Sequence, residues 1–515
     1  MLPLSSVIRN GRRLGANCFY LSQYCNLTVI LPRRRFSSSS SSYGRRAVRV
    51  RFAPSPTGEM HLGGLRTALY NFVFARKNDG QFIVRIEDTD QTRLVDGSQD
   101  RLLETLIWAG LRPDEGPEPI GGPKGPYLQS QRLPFYQEFV QKLLDNGSAY
   151  RCFCTERRLD LLRQDAQRRR QSPRYDGRCK HLTAEEINQL IAKQTPYVVR
   201  FKLKEGPMTF DDVVYGPITL DISLTEGDFI LMKSDGFPTY HLANVVDDHL
   251  MDISHVLRGV EWQMSTPKHL QIFEALGLLP PAYAHLPHLT DQDGRKLSKR
   301  NKAFMCDNLK GKYLSQAVIN FLFMSGGGIG RTDGEFFHMS DLIKKFELTD
   351  LNTSSCKLNL PRLDEMNQLA IRALGTAVEK EALALVRTRY PDVDADYFSQ
   401  AFHANKVRLK VLSDLLSPQL EFLWKDLPKE HLVPDAWRDA FVQLSGLLER
   451  STFEHAQVLN ILKTFHKECM KDIDFKDFMR TLRILLSGLH EGPGVAEMMV
   501  VLGKERTLSR LSRGM

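Results

Sequence analysis

The chain is poor in several things, and each shortage removes a class of reading. No stretch approaches the ~18 uninterrupted apolar residues of a membrane-spanning helix, so the sequence does not read as an integral membrane protein. Cysteine is scarce, with eight in 515 residues and two of those before residue 47. That is too few for a disulfide framework and fits a reducing compartment. No repeat of about 20–50 residues is visible, which removes solenoids and propellers. No aspartate or glutamate precedes Glu59, whereas residues 1–46 carry eight arginines and a run of six serines at 37–42. This acid-free, Arg- and Ser-rich composition predicts an organellar transit peptide over residues 1–46; a basic tail without structure is the alternative. A secretory signal would need a longer apolar centre than CNLTVILP.

Charge elsewhere is nearly balanced. The formal net charge of +9 includes the eight arginines of residues 1–46, leaving +1 for the rest. Overall charge therefore gives no case for a nucleic-acid partner, and any such case must come from local patches. With 42% hydrophobic and 25% charged residues the composition is that of a globular protein. At ~100–200 residues per domain, this length predicts three or four units.

Residues 48–53 (VRVRFA) alternate apolar and charged side chains and run into Pro-Ser-Pro-Thr-Gly, which predicts a strand ending in a tight loop. After His61, Leu65, Leu69, Phe72 and Val73 recur at helical spacing. Residues 81–86 read as a second strand ending in Glu-Asp-Thr-Asp, and 101–110 as a helix. Strand, helix, strand with loops at the carboxyl ends predicts a doubly wound parallel sheet with its site at those ends. Residues 146–230 break the rhythm and read as an inserted domain, and alternation returns at 228–233. From about residue 312 the pattern is nearly all helical, for example over 407–416, 435–448 and 458–470.

Two motifs point to phosphate chemistry. In PSPTGEMHLGG (54–64) prolines stiffen a loop, glycines let a ligand approach the backbone, and N–H groups at the helix start face an anion. His61 there can donate to a phosphate oxygen; alone, the pattern is also that of a turn with a surface histidine. DGRKLSKR (293–300) is a glycine-hinged loop with four cations in its last six residues. Mobile point charges suit a pyrophosphate leaving group. By itself this loop reads as a solvated basic surface, but both motifs in this order on an α/β scaffold are hard to obtain by chance. Gly326-Gly-Gly-Ile-Gly330 lacks a strand–helix setting and reads as a plain loop.

The segments RFAPSPTGEMHLGGLRTALYN (51–71), FIVRIEDTD (82–90), DGFPTYHLANVVDDHLMDISHVLRGVEW (235–262), DGRKLSKR (293–300) and HEGPGVAEMMVVLGKER (490–506) resemble the class I aminoacyl-tRNA synthetases. Within them they resemble the glutamyl branch of bacteria and organelles, and with the presequence the mitochondrial form. The resemblance runs from about residue 47 to the C-terminus. One departure is that the family signature ending His-Ile-Gly-His reads His-Leu-Gly-Gly here, so Gly64 cannot act as a second imidazole.

The resemblance implies an α/β fold: a class I Rossmann-type doubly wound parallel sheet with an inserted acceptor-binding domain, then an all-α C-terminal anticodon-binding domain. The implied boundaries are a transit peptide at 1–46, catalytic halves at 47–145 and 231–311, the insertion at 146–230, a helical stem-contact region at 312–370 and the anticodon domain at 371–515. A glutaminyl enzyme would carry β-barrels in that last region. The implied reaction activates glutamate with ATP and Mg²⁺ and transfers it to tRNA(Glu), with tRNA(Gln) as a second acceptor, in the mitochondrial matrix. Relatives are mostly monomers. Implied catalytic residues are His61 and Lys299. Glutamate would be held by Arg51, Phe52, Ala53, Ser55, Glu87, Tyr240, His241, Leu242, Ala243, Asn244 and Arg258, with Arg51 and Arg258 on its carboxylates. ATP would meet His61, Gly63, Glu261, Lys296, Leu297, Ser298, Lys299 and Arg300.

The lone aspartates Asp88, Asp90, Asp247 and Asp248 read as helix caps and loop ties, with magnesium binding as the alternative. Eight arginines between Arg157 and Arg178 (157, 158, 163, 168, 169, 170, 174, 178) read as a phosphate-contacting face of the insertion rather than a merely solvated one. Cys152, Cys154, Cys179 and His181 could ligate zinc tetrahedrally; thiols left over from such a site are the alternative. A catalytically idle RNA-binding protein on this fold would have eroded His61, Glu87, Arg258 or Lys299, and all four are present. A small adenylyltransferase with a similar loop would lack the long helical C-terminal region.

Overall fold

The computed structural model describes residues 47–297, 302–329, 335–427 and 433–513. The transit-peptide reading of 1–46 and the sites expected at Ser298, Lys299 and Arg300 lie outside the described residues, as does Gly330.

The N-terminal part of the described chain is organised around parallel strands. β1 (Arg49–Phe52) pairs in parallel with β2 (Gln81–Val84), and α1 (Leu62–Lys77) makes the crossover between them. Val50, Phe82, Ile83 and Val84 are fully buried, as expected for strands covered on both faces. On the other side of β1 lies β3 (His255–Gly259), where the Ser254 amide donates to the Arg49 carbonyl at 2.9 Å. α2 (Tyr240–Leu250) leads into β3, which pairs in parallel with β4 (Ala282–Leu286) through the crossover helix α3 (Thr266–Ala275). β1 thus has an early strand on one flank and a late strand on the other. Crossovers diverge from it in opposite directions, which opens a crevice at the carboxyl ends of β1 and β3.

Residues 208–220 bring an antiparallel part to the sheet. Met208–Asp212 and Gly216–Leu220 form an antiparallel hairpin, and the first of these strands joins β4 at Asp212 and Tyr283. A separate antiparallel trio, Ala149–Cys152, Val198–Phe201 and Ile230–Met232, covers α2 and α3, burying Phe201, Leu231, Val245, Ile272 and Phe273 together. The sheet system is therefore mixed rather than purely parallel.

Beyond Cys356–Lys357 only helices follow among the described residues, and one apolar core runs from the catalytic sheet into them. Two of the expected helices there are present, at Arg438–Glu449 and His455–Cys469. The third is not. Residues 407–416 turn through a short 3₁₀ segment at Leu412–Leu416, because the Asp414 carboxylate accepts the amides of Lys410 and Val411 at 2.8 and 3.0 Å. A side chain that binds nearby backbone donors competes with helix propagation. Gly326 is the last residue of the helix Ser315–Gly326, packed against Tyr70, and residues 327–329 follow as the plain loop expected.

Of the four aspartates, Asp90 caps a short 3₁₀ turn and Asp88 ties the loop at Ser130. Asp247 and Asp248 are neither caps nor loop ties. They lie inside α2 as buried counterions, Asp247 for Arg132 at 2.6 Å and Asp248 for Arg51 and Arg85 at 3.0 and 2.7 Å. A lone acidic pair in sequence does not reveal which distant cations reach it.

Candidate active site

A cavity of about 330 Å³ lies at the carboxyl ends of β1 and β3. Residues 51–55 and Glu87 form one wall, Tyr240, Asn244, Arg258, Glu261 and Trp262 another, and the His61–Gly64 loop with Lys296 and Leu297 the mouth. Of the residues expected from sequence, Arg51, Phe52, Ala53, Ser55, His61, Gly63, Glu87, Tyr240, Asn244, Arg258, Glu261, Lys296 and Leu297 line it. His241, Leu242 and Ala243 do not. A helix turns ~100° per residue, so Tyr240 and Asn244, four apart, share the face that looks into the cavity. The intervening residues rotate away. Leu242 and Ala243 enter the core, and His241 lines a second cavity of about 410 Å³ under the insertion, together with Arg163, Arg174 and Arg200. Tyr240 walls both cavities.

His61 caps α1. Its Nδ1 accepts the Gly64 amide at 3.2 Å, so in the neutral ring Nε2 carries the proton and is the donor. Gly63 makes this fit possible, since a Cβ there would sit 2.8 Å from His61 Cε1. The glycine at 64, where the family pattern has a second histidine, thus serves through its backbone. The chain on either side of residues 298–301 is tied to this loop. Leu297 lines the same cavity, Met305 bridges to His61, and the Cys306 amide donates to the Met60 carbonyl at 2.9 Å. Lys296 Nζ stands 3.4 Å from Glu261, which His288 also approaches at 3.6 Å. Gly259 leaves the space for that carboxylate, because a Cβ there would lie 2.2 Å from Glu261 Oε2.

The two arginines assigned to carboxylates differ in kind. Arg51, 3% exposed, gives Nε and Nη2 to Asp248 and Nη2 also to Asn244. Only its Nη1 has no acceptor among the described residues. Arg258, 5% exposed, is held by neutral acceptors alone. Nε donates to His285 Nε2 at 3.1 Å, Nη1 to the Tyr240 hydroxyl at 3.2 Å and towards His269 Nδ1 at 3.3 Å, and Nη2 to the Trp262 carbonyl and the Thr266 hydroxyl at 3.1 and 2.8 Å. None is a carboxylate. Its fork is therefore oriented while its charge has no direct counterion. An incoming carboxylate that replaces a neutral acceptor exchanges a dipole for a charge and gains a stronger bond.

Opposite stands Glu87, whose carboxyl burial pushes above the usual range, with Arg85 and Arg51 pulling it back. It accepts the Asn244 amide at 2.9 Å and lies 3.6 Å from Arg85. An ammonium beside Glu87 would find its anion there, while Asn244 only orients that carboxylate, its Oδ1 being taken by Arg51 and Arg85. Burial also lowers His241 to about 3 and His269 well below 6.5, so both rings are neutral at physiological pH. Sequence reasoning missed Trp262, which stacks on Tyr240 at 4.2 Å between centroids, and also Arg66 and His288 on the cavity wall. Trp262 was the readable one: it is one of four tryptophans in the chain and closes the segment 235–262.

In the insertion, Cys152, Cys154 and Cys179 bring their sulfurs within 4.8 Å of one another. His181 is not in that group. The Tyr175 hydroxyl lies 3.2 Å from Cys152 Sγ and 3.5 Å from Cys154 Sγ. Of the eight insertion arginines, Arg158, Arg163, Arg169 and Arg174 pair with carboxylates of the chain, while Arg157, Arg168, Arg170 and Arg178 have no carboxylate partner among the described residues.

A family model described as tRNA synthetases class I (E and Q), catalytic domain, matches residues 47–365, and one described as an anticodon binding domain matches residues 373–515. The chain is 41% identical over 490 residues to a glutamate–tRNA ligase of Clostridium botulinum, covering 91% of this chain and 98% of that protein. It is 38% identical over 496 residues to the glutamate–tRNA ligase of Chlorobaculum parvum, covering 91% and 97%. Among solved structures it is similar to a glutamate tRNA ligase from Elizabethkingia meningosepticum in complex with its amino acid. The TM-score is 0.80 at 31% identity, covering 91% of this chain and 99% of that one.

The contrast between the two arginines yields a test. Arg51→Met leaves Asp248 short of a partner and is expected to cost stability on the order of 3 kcal/mol in urea unfolding. Arg258→Met removes a charge without a counterion and is expected to cost less stability than Arg51→Met. In titration calorimetry it should nonetheless weaken the binding of an acidic amino acid on the order of 100-fold. Equal stability losses, or an unchanged affinity in Arg258→Met, would refute the distinction.

Proposed function

This chain belongs to the glutamate–tRNA ligases, a family of class I aminoacyl-tRNA synthetases, and we propose that it charges tRNA(Glu) and also tRNA(Gln) in the mitochondrial matrix. Its activity is the ATP-dependent attachment of glutamate to tRNA. The observation that carries this reading is the single cavity that joins the His61 loop and Lys296 to Arg258 and Glu87. Phosphate-handling groups and an oriented but uncompensated guanidinium face one space.

In this reading Arg258, with the remaining nitrogen of Arg51, takes the carboxylates of glutamate, and Glu87 takes its ammonium with Ser55 beside it. The triphosphate lies along the His61–Gly64 loop towards Lys296. The glutamate α-carboxylate attacks the α-phosphate of ATP and pyrophosphate leaves. A terminal ribose hydroxyl of the tRNA then takes the acyl group from the adenylate, releasing AMP. A carboxylate is already nucleophilic at neutral pH, so the chemistry needs positioning and stabilisation of phosphate charge rather than a base. His61 Nε2–H and the loop cations Lys296 and Lys299 supply that stabilisation. Among the described residues no set of carboxylates converges in the cavity as a metal cage, so magnesium is proposed to arrive on the phosphates of the nucleotide. Glutamine would leave the charge of Arg258 unmatched, which by comparison with other sites that recognise polar groups disfavours it on the order of 10⁴-fold.

Two features support the tRNA partner. The helix Glu156–Arg168 buries none of its residues; of the arginines without carboxylate partners, Arg157 and Arg168 lie on it, Arg170 just beyond it and Arg178 in the turn Arg178–His181. The helices from residue 373 onwards match an anticodon binding domain. The acid-free, Arg-rich residues 1–46 support the mitochondrial address. That address in turn supports relaxed charging, which is usual in organelles without a glutaminyl enzyme. Charging assays on the two purified tRNAs are expected to show glutamate on both; charging of tRNA(Glu) alone would contradict the second acceptor. Residues 1–46 fused to a fluorescent reporter are expected to carry it into mitochondria, and diffuse cytosolic signal would remove the address.

Zinc fits the thiol cluster. Thiolate sulfur is a preferred zinc ligand, and Cys152, Cys154, Cys179 and the Tyr175 phenol make up four donors. We propose a structural ion there that ties the strand Ala149–Cys152 to the turn at Arg178–His181. Metal analysis of the purified protein is expected to give about one zinc per chain, and near-zero zinc after mild preparation would end the idea.

A further inference from the structure

Arg258 owes its orientation to a residue from a distant part of the chain. On the parallel strands β3 and β4, Arg258 lies in register with His285, so both side chains leave the sheet on the same side. His285 is fully buried, and its Nδ1 meets Asp212 Oδ2 at 2.5 Å. Asp212, 2% exposed, ends the first strand of the inserted hairpin, where that strand pairs with β4 at Tyr283. Its other oxygen, Oδ1, accepts the amides of Val214 and Tyr215 at 3.0 and 2.9 Å. The carboxylate cannot donate, so His285 carries its proton on Nδ1. Arg258 Nε cannot accept, so His285 Nε2 must present its lone pair to it. Burial and Arg258 lower the proton affinity of His285 while Asp212 raises it, and the net effect is downward, in keeping with a neutral ring of this single tautomer.

We infer that Asp212 is a positioning residue for glutamate recognition: acting through His285, it fixes the tautomer that holds Arg258 Nε and supplies the nearest negative charge to Arg258 along that line. This inference rests on the function proposed above and deepens it by naming what keeps the amino-acid pocket selective for an anion. It also makes the inserted hairpin part of the pocket, since the fork of Arg258 is aimed by a residue that belongs to the insertion.

Asp212→Asn separates this role from a merely structural one. Asparagine keeps a carbonyl oxygen for the amides of Val214 and Tyr215, but its NH₂ faces His285 Nδ1 and drives the proton to Nε2, and it gives up the contact that Asp212 Oδ2 accepts from the His285 amide at 3.2 Å. There the ring would point a hydrogen at the hydrogen of Arg258 Nε. In tRNA-dependent ATP–pyrophosphate exchange, the KM for glutamate is expected to rise about 10- to 100-fold, the size of effect that outer-shell partners of an imidazole have on its function. The KM for ATP should stay close to wild type, with the melting temperature falling only by what the lost amide contact explains. His285→Gln is expected to raise the same KM, and the double variant should be little worse than either single, because both break one line of contacts. The inference is overturned by an unmoved glutamate KM in an active Asp212→Asn protein, or by glutamate and ATP KM rising together with a falling melting temperature. Additive effects in the double variant would overturn it too. If wild-type protein attached no glutamate to tRNA(Glu), the function reading would fall and this inference with it.

Discussion

The site depends on how the chain balances charge that it has removed from water. Each buried ion costs several kcal/mol unless paired with good geometry. Arg51 and Arg85 share Asp248, Arg132 is held by Asp247, and Glu87 leans on Asn244 and Arg85. Arg85 shows the strength of this arrangement: burial alone would lower its pKa, yet Asp248, Asp247 and Glu87 raise it. Asp248 is likewise held below its usual range despite burial, because Arg51 and Arg85 stand against it. Against this paired background Arg258 is the exception. Its charge is oriented by five neutral acceptors and meets a carboxylate only through His285.

Topology places that exception where it is useful. Because β2 and β3 flank β1, the loops after β1 and β3 diverge and leave the crevice between them. Arg51 and Arg258 are each the penultimate residue of their strands, so both reach the crevice from a rigid sheet rather than from a mobile loop. The phosphate end is built differently, from the cap of α1, against which Met305 and Cys306 pack, and from Lys296 and Leu297, which line the same cavity.

Much of this was legible in the sequence because the relevant signals are local. Strand alternation followed by Pro/Gly loops located β1, the cap of α1 and the carboxyl ends where Arg51, Glu87 and Arg258 lie. Residues 240–244 are contiguous in one motif, but on a helix only Tyr240 and Asn244 share the cavity face, so His241, Leu242 and Ala243 face elsewhere. The difference between Arg51 and Arg258 was not legible, since it depends on Asp248 reaching one and not the other from a helix far along the chain. Asp212 and His285 stand 73 residues apart, and only the pairing of the hairpin with β4 brings them together. The missing helix at 407–416 has a local cause, an aspartate competing for backbone amides, that an apolar pattern does not register.

The most direct measurement is a crystal structure of the protein with glutamate bound in the absence of ATP and tRNA. The account requires a carboxylate of the ligand within about 3 Å of the Arg258 guanidinium, in place of one of its neutral acceptors, with the Arg51–Asp248 pair intact. Glutamate bound elsewhere in the cavity, with all five neutral contacts of Arg258 preserved, would contradict it.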